Sequence, residues 1–475
     1  MNYGIGFKMT DDLYKNLAQA EFGYVEAPAG CGKTEAIVHA VTEHAKGKQL
    51  ILTHTNAGVA ALKKRFVDKK VPNEKYNIET IAGWAWKWVR KYPINSAYSV
   101  TDLPENWIDV YRAANRLMEK QFVQYVIKNS YYGVIVDEYQ DCTQSMHELM
   151  LTLKKILPCR ILGDPLQGIF EFSKNNNDPL VAWDIVKNDF VNDLGRLSVP
   201  YRWEKANNKA LGKWLISNRN LFRNNEPVQF NHFNHSPITT EIVDNSRISL
   251  QLINIARNTT KESVCIIGPK YGKLNPGLLT TAIKQGFSLV ESQELPEVKK
   301  LVEKISNNSP IKEKAEAAFN FVKTCFSGLG KHKDFIERIL LGTLSKPKSP
   351  DRKEIYEKFN NGYEHELLLA LLNYLDKQND IYCIRKDSIF CLTNLVSAHI
   401  KTQEDLISIF SKVINARKYS NYRLKKKVIG TTLLLKGLEF DNSVVIHNGK
   451  NWGTNKDLYV AITRGSKAVK IIQTG

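Results

Sequence analysis

The segment from residue 27 to residue 34, which reads APAGCGKT, carries the residue types that bind the phosphates of a nucleotide. Gly30 and Gly32 allow backbone N–H groups to approach a phosphate closely. Lys33 can reach the outer phosphates, and the hydroxyl of Thr34 can ligate Mg²⁺. The segment departs from the pattern G-x-x-x-x-G-K-[ST] only at its first position, where alanine replaces glycine. We therefore predict a phosphate-binding loop. Its predicted nucleotide contacts are Ala29, Gly30, Cys31, Gly32, Lys33 and Thr34.

An acidic segment, DEYQD, follows a short apolar run. Residues 133–136 (GVIV) have the composition of a buried parallel strand, and Asp137 and Glu138 come directly after it. Nucleotide hydrolysis needs a carboxylate to hold Mg²⁺ and a general base for the attacking water. We predict that Asp137 does the first and Glu138 the second, so the predicted metal ligands are Thr34 and Asp137. The expected cofactors are ATP and Mg²⁺.

Three further polar side chains lie just past short apolar segments. Gln167, in GDPLQ, can sense the γ-phosphate of a nucleotide, while Arg202 and Arg464 lie in PYRW and AITRG. An arginine beside the γ-phosphoryl group can raise the rate of its transfer by roughly 10³–10⁵. The glycine and glutamate of KGLEF, Gly437 and Glu439, suit close approach to a nucleotide. The predicted catalytic residues are Lys33, Asp137, Glu138, Gln167, Arg202 and Arg464.

Short strands and helices alternate around these motifs, which indicates an α/β fold with parallel sheets. Strands are predicted at 24–26, 50–52, 133–136, 160–162, 263–268, 428–432, 443–447 and 468–473. Helices are predicted at 11–20, 36–41, 56–66 and 275–285. Between residues 296 and 425 the pattern changes to Lys/Glu-rich helical segments, which indicates a helical insertion.

The composition bounds the class of protein. A chain of 475 residues is too long for one hydrophobic core. Its formal charge of +18 favours a polyanionic partner such as nucleic acid, although a general contribution to solubility also explains it. The sequence has no apolar run long enough to span a membrane and no signal-peptide pattern, so we expect a cytoplasmic protein. Seven scattered cysteines without a C-x-x-C pair indicate reduced thiols.

In their order and spacing, these segments resemble the motifs of the UvrD/Rep/PcrA family of superfamily 1 helicases. DEYQD resembles the family's DE-aromatic-QD signature, GDPLQGIF its GD-x-x-Q-x-I-aromatic, PYRW its NYRS and YVAITRG its YVA-x-TR, while KGLEF matches letter for letter. THTN at 53–56 and TIAG at 80–83 resemble motifs Ia and Ib. The resemblance covers both ATPase lobes but not the helical segment at 296–425.

The resemblance implies two RecA-like P-loop NTPase domains, with a small helical insertion in the first and a larger, mainly helical insertion in the second. The expected limits are 1–84 and 131–196 for domain 1A, 85–130 for insertion 1B, 197–295 and 426–475 for domain 2A, and 296–425 for a 2B-like insertion. ATP would lie between the two domains, with Tyr201 stacked on the adenine and Arg464 as the arginine finger. Gln19 is the candidate to read the adenine edge.

The same resemblance implies a set of contacts to nucleic acid. The candidates are His54, Asn56, Thr80, Gly83, Phe170, Phe172 and Thr431. His54 replaces the phenylalanine of the family pattern, and Phe172 replaces its tryptophan. Phe170 and Phe172 also have the character of core residues. Trp84 and Trp88, one helical turn apart, are more typical of a core than of a base-stacking platform.

The implied activity is ATP-dependent translocation on single-stranded DNA with duplex unwinding, in the 3′ to 5′ direction. The expected partners are single-stranded DNA and junctions between single and double strands. Small insertions and no nuclease constellation indicate one subunit of a DNA-processing or antiviral defence system. The chain is similar in size and layout to the helicase subunit of Gabija-type antiphage defence, which implies a nuclease-ATPase partner. The alternatives are a nucleic-acid-sensing ATPase switch that regulates a partner nuclease, and a non-catalytic binding module.

Overall fold

In the computed structural model, two six-stranded sheets organise the chain. The structure describes residues 3–99, 104, 106–170, 177–223, 226, 228–233, 236–259, 261–268, 276–307, 309–343, 345–347, 349–360, 364–419, 425–448 and 452–474. The chain divides into two compact units, Met1–Thr239 with Gly453–Lys467 and Thr240–Trp452 with Ala468–Gly475. The four predicted domain limits are a finer division than this one and stay predictions.

The first sheet is entirely parallel. Its strands are β1 (Phe22–Glu26), β2 (Gln49–Thr53), β3 (Tyr76–Thr80), β4 (Gly133–Val136), β5 (Cys159–Gly163) and β6 (Asp193–Arg196). They lie in the order β3-β2-β4-β5-β1-β6, and every neighbouring pair is parallel. The strands β2, β4 and β5 are buried along their whole length, which explains why they appear in the sequence as continuous apolar runs. All six strands therefore end at the same edge of the sheet.

The register of the central strands places their last residues beside one another, so the motif segments that follow them start at the same height in the sheet. Glu26, the last residue of β1, lies beside Gly163, the last residue of β5. Val136, at the end of β4, lies beside Leu52 of β2, and the backbone N–H of Asp137 donates to the Leu52 carbonyl at 2.8 Å. The loops after β1, β2, β4 and β5 consequently begin side by side.

Helices cover both faces of the first sheet, and each face has its own buried core. The helices are α1 (Tyr3–Gln19), α2 (Lys33–His39), α3 (Asn56–Asp68), α4 (Ile81–Lys91), α5 (Pro93–Ser96), α6 (Trp107–Met118), α7 (Gln121–Ser130), α8 (Gln144–Lys154), α9 (Trp183–Phe190), α10 (Tyr201–Lys205) and α11 (Lys209–Ser217). A π-helical turn, Ala40–His44, extends α2. Between β3 and β4, helices α4–α7 pack into the core of the sheet. Trp84 is buried there and Trp88 packs against it, which confirms their interpretation as core residues.

The second sheet follows the order β7-β14-β13-β8-β12-β9. Its strands are β7 (Ile238–Val243), β8 (Val264–Gly268), β9 (Ser288–Leu289), β12 (Lys427–Thr431), β13 (Phe440–His447) and β14 (Gly465–Thr474), and a separate antiparallel pair joins β10 (Phe326–Ser327) to β11 (Tyr382–Cys383). β12 is parallel to β8 and β9, and β13 is parallel to β8. This second parallel arrangement, together with the first, confirms the predicted α/β fold class with two RecA-like sheets.

Helices of the second unit fall into two groups. The helices are α12 (Ile248–Asn258), α13 (Pro276–Lys284), α14 (Pro296–Ser306), α15 (Ile311–Cys325), α16 (Lys333–Leu340), α17 (Pro350–Asn360), α18 (Glu364–Asp376), α19 (Lys386–Thr402), α20 (Leu406–Tyr419) and α21 (Thr432–Leu435). A later helix, α22 (Asn455–Ile462), belongs to the first unit. α12 and α13 pack on the sheet, whereas α14–α20 share a separate core. The sequence-predicted helical insertion is therefore a helical body with its own interior. None of the helices in the described part of the chain is long and apolar enough to cross a membrane.

Candidate active site

The loop between β1 and α2 has the backbone conformation of a phosphate cradle. Gly30 and Gly32 have φ angles of 68° and 84°, in the left-handed region that favours glycine. A Cβ atom at Gly30 would lie 2.5 Å from Cζ3 of Trp203, and one at Gly32 would lie 3.2 Å from Cδ2 of Tyr201. Both glycines are therefore required by the conformation and by close packing. The helix α2 begins directly after the loop, with Lys33 as its first residue.

Lys33 is buried and lies among acceptors. Its Nζ donates to the carbonyl of Ala27 at 3.3 Å and lies 3.5 Å from Oε1 of Glu138. Burial acts to lower the pKa of Lys33, but the surrounding carboxylates, Glu138 first among them, hold it above its usual value. The lysine is thus a buried, permanently charged group at the point where the loop would hold phosphates.

Two adjacent carboxylates leave β4 in different environments. Asp137 is buried, and its Oδ1 accepts the backbone N–H of Glu138 at 2.9 Å. Glu138 has a φ of 56°, uncommon for a residue with a side chain, and its Oε2 accepts from Nε2 of Gln140 at 2.6 Å. Burial and the nearby Glu138 raise the pKa of Asp137 to about 7, against the lowering effect of Lys33. Such a pair of carboxylates is stabilised by an added cation.

The oxygen ligands that this site offers are of the kind that binds Mg²⁺. This ion uses one or two protein oxygens and completes its shell with water and substrate phosphate. Asp137 supplies a buried carboxylate at the end of β4, and Thr34 supplies a hydroxyl in the first turn of α2. These are the two residues that would hold the ion.

Asp164, the first residue after β5, connects the phosphate loop to Gln167. Its Oδ2 accepts the backbone N–H of Ala29 at 2.9 Å and Nε2 of Gln167 at 3.0 Å. Its own backbone N–H donates to Oε1 of Gln140 at 2.9 Å. The segments after β1, β4 and β5 are therefore joined by direct hydrogen bonds.

The two predicted cationic residues reach the same network. Arg464 is buried, and its Nη2 donates to Oε1 of Gln167 at 3.3 Å and to Oγ1 of Thr463 at 2.9 Å. Arg202 donates from Nη1 to the Thr463 carbonyl at 2.7 Å, and its backbone N–H donates to the Gly30 carbonyl at 3.1 Å. Both arginines, expected in the second ATPase lobe, belong to the same compact unit as the phosphate loop.

Arg219 is a central residue of the site that the motifs did not reveal. Its Nη2 donates to Oδ1 of Asp164 at 2.8 Å and to Oε1 of Glu26 at 3.3 Å, and its Nη1 donates to the hydroxyl of Tyr459 at 2.7 Å. Burial acts to raise the pKa of Asp164, but Arg219 outweighs it and holds that pKa below its usual value. The sequence offers only a weak indication of this role, because Arg219 lies between the apolar residues Leu215 and Phe222.

The predicted adenine contacts lie on different elements. Tyr201 is the first residue of α10, and its ring lies against Gly32 of the loop. Gln19 is the last residue of α1, and its Nε2 donates to the His44 carbonyl at 3.1 Å. Gly437, with a φ of 81°, and Glu439 lie between α21 and β13 in the other compact unit. Their contacts with a nucleotide stay predictions.

The first-unit candidates for nucleic-acid binding lie at the same sheet edge as the phosphate loop. His54 follows β2, and its Nε2 lies 3.4 Å from Sγ of Cys142. Asn56 begins α3. Thr80 ends β3 and caps α4, because its Oγ1 accepts the backbone N–H of Gly83 at 2.9 Å.

The remaining nucleic-acid candidates are more scattered. Phe170, half-buried, follows Gln167 after β5. Thr431 ends β12 in the other compact unit. Phe172 lies outside the described residues. These roles stay predictions.

Comparison with known proteins supports the assignment of the loop. Residues 12–173, about a third of the chain, match the model of a protein family described as an AAA domain. The matched region contains β1–β5, the phosphate loop, the DEYQD segment and Gln167. Among curated proteins no match to the chain is found. The match indicates a P-loop nucleotide-binding domain of the AAA type within residues 12–173.

Proposed function

We propose that this protein is an ATP-hydrolysing motor of the superfamily 1 helicase kind, which translocates on single-stranded DNA and unwinds duplexes in the 3′ to 5′ direction. The observation that carries the proposal is the network that joins the phosphate loop, Asp164, Gln167 and Arg464 in one compact unit. A P-loop that only holds a nucleotide does not need a buried arginine linked to its γ-phosphate sensor. A hydrolase does, because charge develops on the γ-phosphoryl oxygens during transfer.

Each residue then has a defined task. Lys33 binds the outer phosphates, exchanging its contact with Glu138 for the ligand. Glu138 takes the proton of the attacking water, and its strained backbone fixes its side chain beside the loop. Arg464, held by Gln167, and Arg202 stabilise the charge on the γ-phosphoryl group. Thr34 and Asp137 hold Mg²⁺, which neutralises phosphate charge when bound.

The sheet geometry supports coupling to a nucleic-acid strand. β2 and β3 end at the same edge as the hydrolysis segments, and they carry His54, Thr80 and the exposed Gly83. The 3.4 Å contact between His54 and Cys142 joins the segment after β2 to the one that follows DEYQD. The formal charge of +18 favours a polyanionic ligand. A strand held by these residues would therefore be linked, through His54 and Cys142, to the segment that directly follows the one with the general base.

One observation favours the second candidate, an ATPase switch that senses nucleic acid and regulates a partner nuclease. Helices α4–α7 share a core with the first sheet. A motor that separates strands over long distances gains from a separate arm that engages the duplex, and these helices do not form one within the described residues. In both candidates we propose a nuclease-ATPase partner, within a DNA-processing or antiviral defence system.

Strand displacement measured beside ATP hydrolysis tests the two candidates. The substrates are duplexes with a single-stranded 3′ tail, a 5′ tail or no tail, at one stated salt concentration. The motor predicts displacement that requires ATP and the 3′ tail, and that disappears in Glu138→Gln. Stimulated hydrolysis without displacement supports the switch instead. Hydrolysis that no tail stimulates contradicts both.

A further inference from the structure

A cavity of about 230 Å³ opens beside the phosphate loop, within the first compact unit. It lies where β6 and α11 approach the start of the loop. The lining residues that matter here are Pro28, Arg196, Ser198, Ser217, Arg219 and Arg223. Three of the nine lining residues are arginines, and no acidic residue lines the cavity among the described residues.

The carboxylates that form ion pairs with these arginines are buried. Glu26 accepts from Nη2 of Arg223 at 2.9 Å and of Arg219 at 3.3 Å, and its Oε2 lies 3.8 Å from Nη2 of Arg196. Asp164 is the other partner of Arg219. Three cations therefore face two carboxylates, which leaves one positive charge. Both carboxylates are almost inaccessible to solvent, whereas Arg196 and Arg223, which line the cavity, are exposed.

Two of the arginines keep donors for a ligand. The side chains of Arg196 and Arg223 are 62% and 44% exposed. Among the described residues, Arg223 donates a hydrogen bond only to Glu26, and Arg196 donates none. A guanidinium group has five N–H donors in a planar fork that matches the oxygens of a phosphate. The hydroxyls of Ser198 and Ser217 add neutral donors to the same wall.

We propose that this cavity binds a small anion of the phosphate class at a second site, distinct from the phosphate cradle of residues 29–34. Its volume is below that of pockets for drug-sized ligands, which favours a single phosphate group over a large effector. Its place in the sheet argues against a nucleic-acid backbone as the ligand. β6 is the edge strand at one end of the sheet, whereas the candidates His54 and Thr80 follow β2 and β3 at the other end.

Calorimetric titration of the full chain with inorganic phosphate tests this proposal. The titrations use the Lys33→Ala protein, so that the phosphate loop does not dominate the signal, with chloride holding the ionic strength constant. Arg196→Gln and Arg223→Gln are then added together. The matched control adds Arg90→Gln and Arg112→Gln, two exposed arginines of the same unit outside the cavity. Urea unfolding midpoints establish that each protein is folded.

The proposal expects saturable binding of phosphate to Lys33→Ala and to the control, and binding weaker by at least about tenfold in the cavity variant. Titration with AMP separates the two sources of the anion. Tighter binding of AMP, lost in the cavity variant, assigns the site to a nucleotide phosphate, and tighter binding of inorganic phosphate assigns it to the free ion. No saturable binding to Lys33→Ala overturns the proposal. Equal affinity of the cavity variant and the control also overturns it.

Discussion

Gln167 accepts a hydrogen bond at 3.3 Å from Arg464, a residue 297 positions away in the chain. Both side chains are buried, and Gln167 donates in turn to Asp164, which holds the backbone N–H of Ala29. The predicted γ-phosphate sensor, the predicted arginine finger and the phosphate loop are thus connected by three successive hydrogen bonds.

Arg464→Lys is expected to lower kcat for ATP hydrolysis by roughly 10³-fold or more while ATP binding changes little. Lysine keeps the charge but lacks the planar fork that contacts Gln167 and that, in the proposed mechanism, would also reach the phosphoryl oxygens. Steady-state kinetics and equilibrium ATP binding provide the two readouts. Arg90→Lys, on the exposed face of α4, is the control and should hydrolyse ATP normally. A kcat for Arg464→Lys within about tenfold of the unmodified protein would remove Arg464 from the catalytic residues.

Glu138→Gln is expected to lower kcat by roughly 10²–10⁴ because the amide cannot take a proton from water. ATP binding should be retained, since the amide keeps the size of the side chain and removes a negative charge beside the phosphates. The control is Glu35→Gln on α2, whose carboxylate lies 3.3 Å from Arg65 and 3.2 Å from Lys69 at the surface. If the two variants lose activity to the same degree, Glu138 is not the general base.

Arg219→Met is expected to reduce the free energy of unfolding by about 3–5 kcal/mol, because it leaves the buried carboxylate of Asp164 without its arginine partner and removes one of the partners of Glu26. The matched control is Arg65→Met, which removes an exposed ion pair of 3.3 Å with Glu35 and should cost about 0–1 kcal/mol. Urea unfolding of the full chain measures both. Equal costs for the two substitutions would show that the buried pair adds nothing beyond a surface pair.

The ion pair between Arg219 and Asp164 also predicts that the free energy of unfolding depends on pH. The pKa of Asp164 is held below its usual value in the folded protein, so the folded state binds fewer protons there than the unfolded state. The contribution of Asp164 to the free energy of unfolding is complete above its pKa in the unfolded chain, about 3.9. It is lost as the pH falls through the lower pKa of the folded protein. Arg219→Met removes the largest influence that lowers the pKa of Asp164, while burial, which raises that pKa, remains.

Urea titrations at several pH values between 7 and 3 test this dependence. The stability difference between the unmodified protein and Arg219→Met should therefore narrow as the pH falls below about 5. Titrating groups that Arg219 does not contact contribute to both proteins and cancel in the difference. A difference that stays constant or widens towards low pH would contradict the assigned role of Arg219.

Phe170→Ala is expected to raise the concentration of single-stranded DNA needed for half-maximal stimulation of ATP hydrolysis by roughly 5–150-fold, the effect of losing about 1–3 kcal/mol of base stacking. Hydrolysis without DNA should change little, and Phe170→Tyr should preserve stimulation. Tyr125→Ala, at an exposed aromatic on α7, is the matched control. An unchanged DNA requirement in Phe170→Ala would assign Phe170 to the core.

Local patterns in the sequence predicted the elements that carry the motifs. The apolar run at 133–136 is the strand Gly133–Val136, with Asp137 directly after it. The strand predicted at 24–26 is the end of Phe22–Glu26, and the loop at 27–32 precedes α2 as expected. These predictions succeeded because a buried parallel strand requires a short continuous apolar run, and because a phosphate loop requires glycines at set positions.

Partners that lie far apart in the chain could not be predicted in this way. Arg219 meets Asp164 and Tyr459 across 55 and 240 residues, and no local spacing specifies such a contact. The pair β10–β11 was also missed, since strands of two residues are too short to show alternation. Helix α1 begins at Tyr3, ahead of the predicted start at residue 11, within a segment where two glycines weaken the helical signal.

ATP hydrolysis measured with and without single-stranded DNA, at one stated salt concentration, tests whether the ATPase of this protein is coupled to nucleic acid. We expect many-fold stimulation by single strands, and we expect Lys33→Ala and Glu138→Gln to lower kcat by at least roughly 10²-fold under both conditions. Hydrolysis that is equal with and without DNA, or that is unchanged in Lys33→Ala, would contradict these expectations.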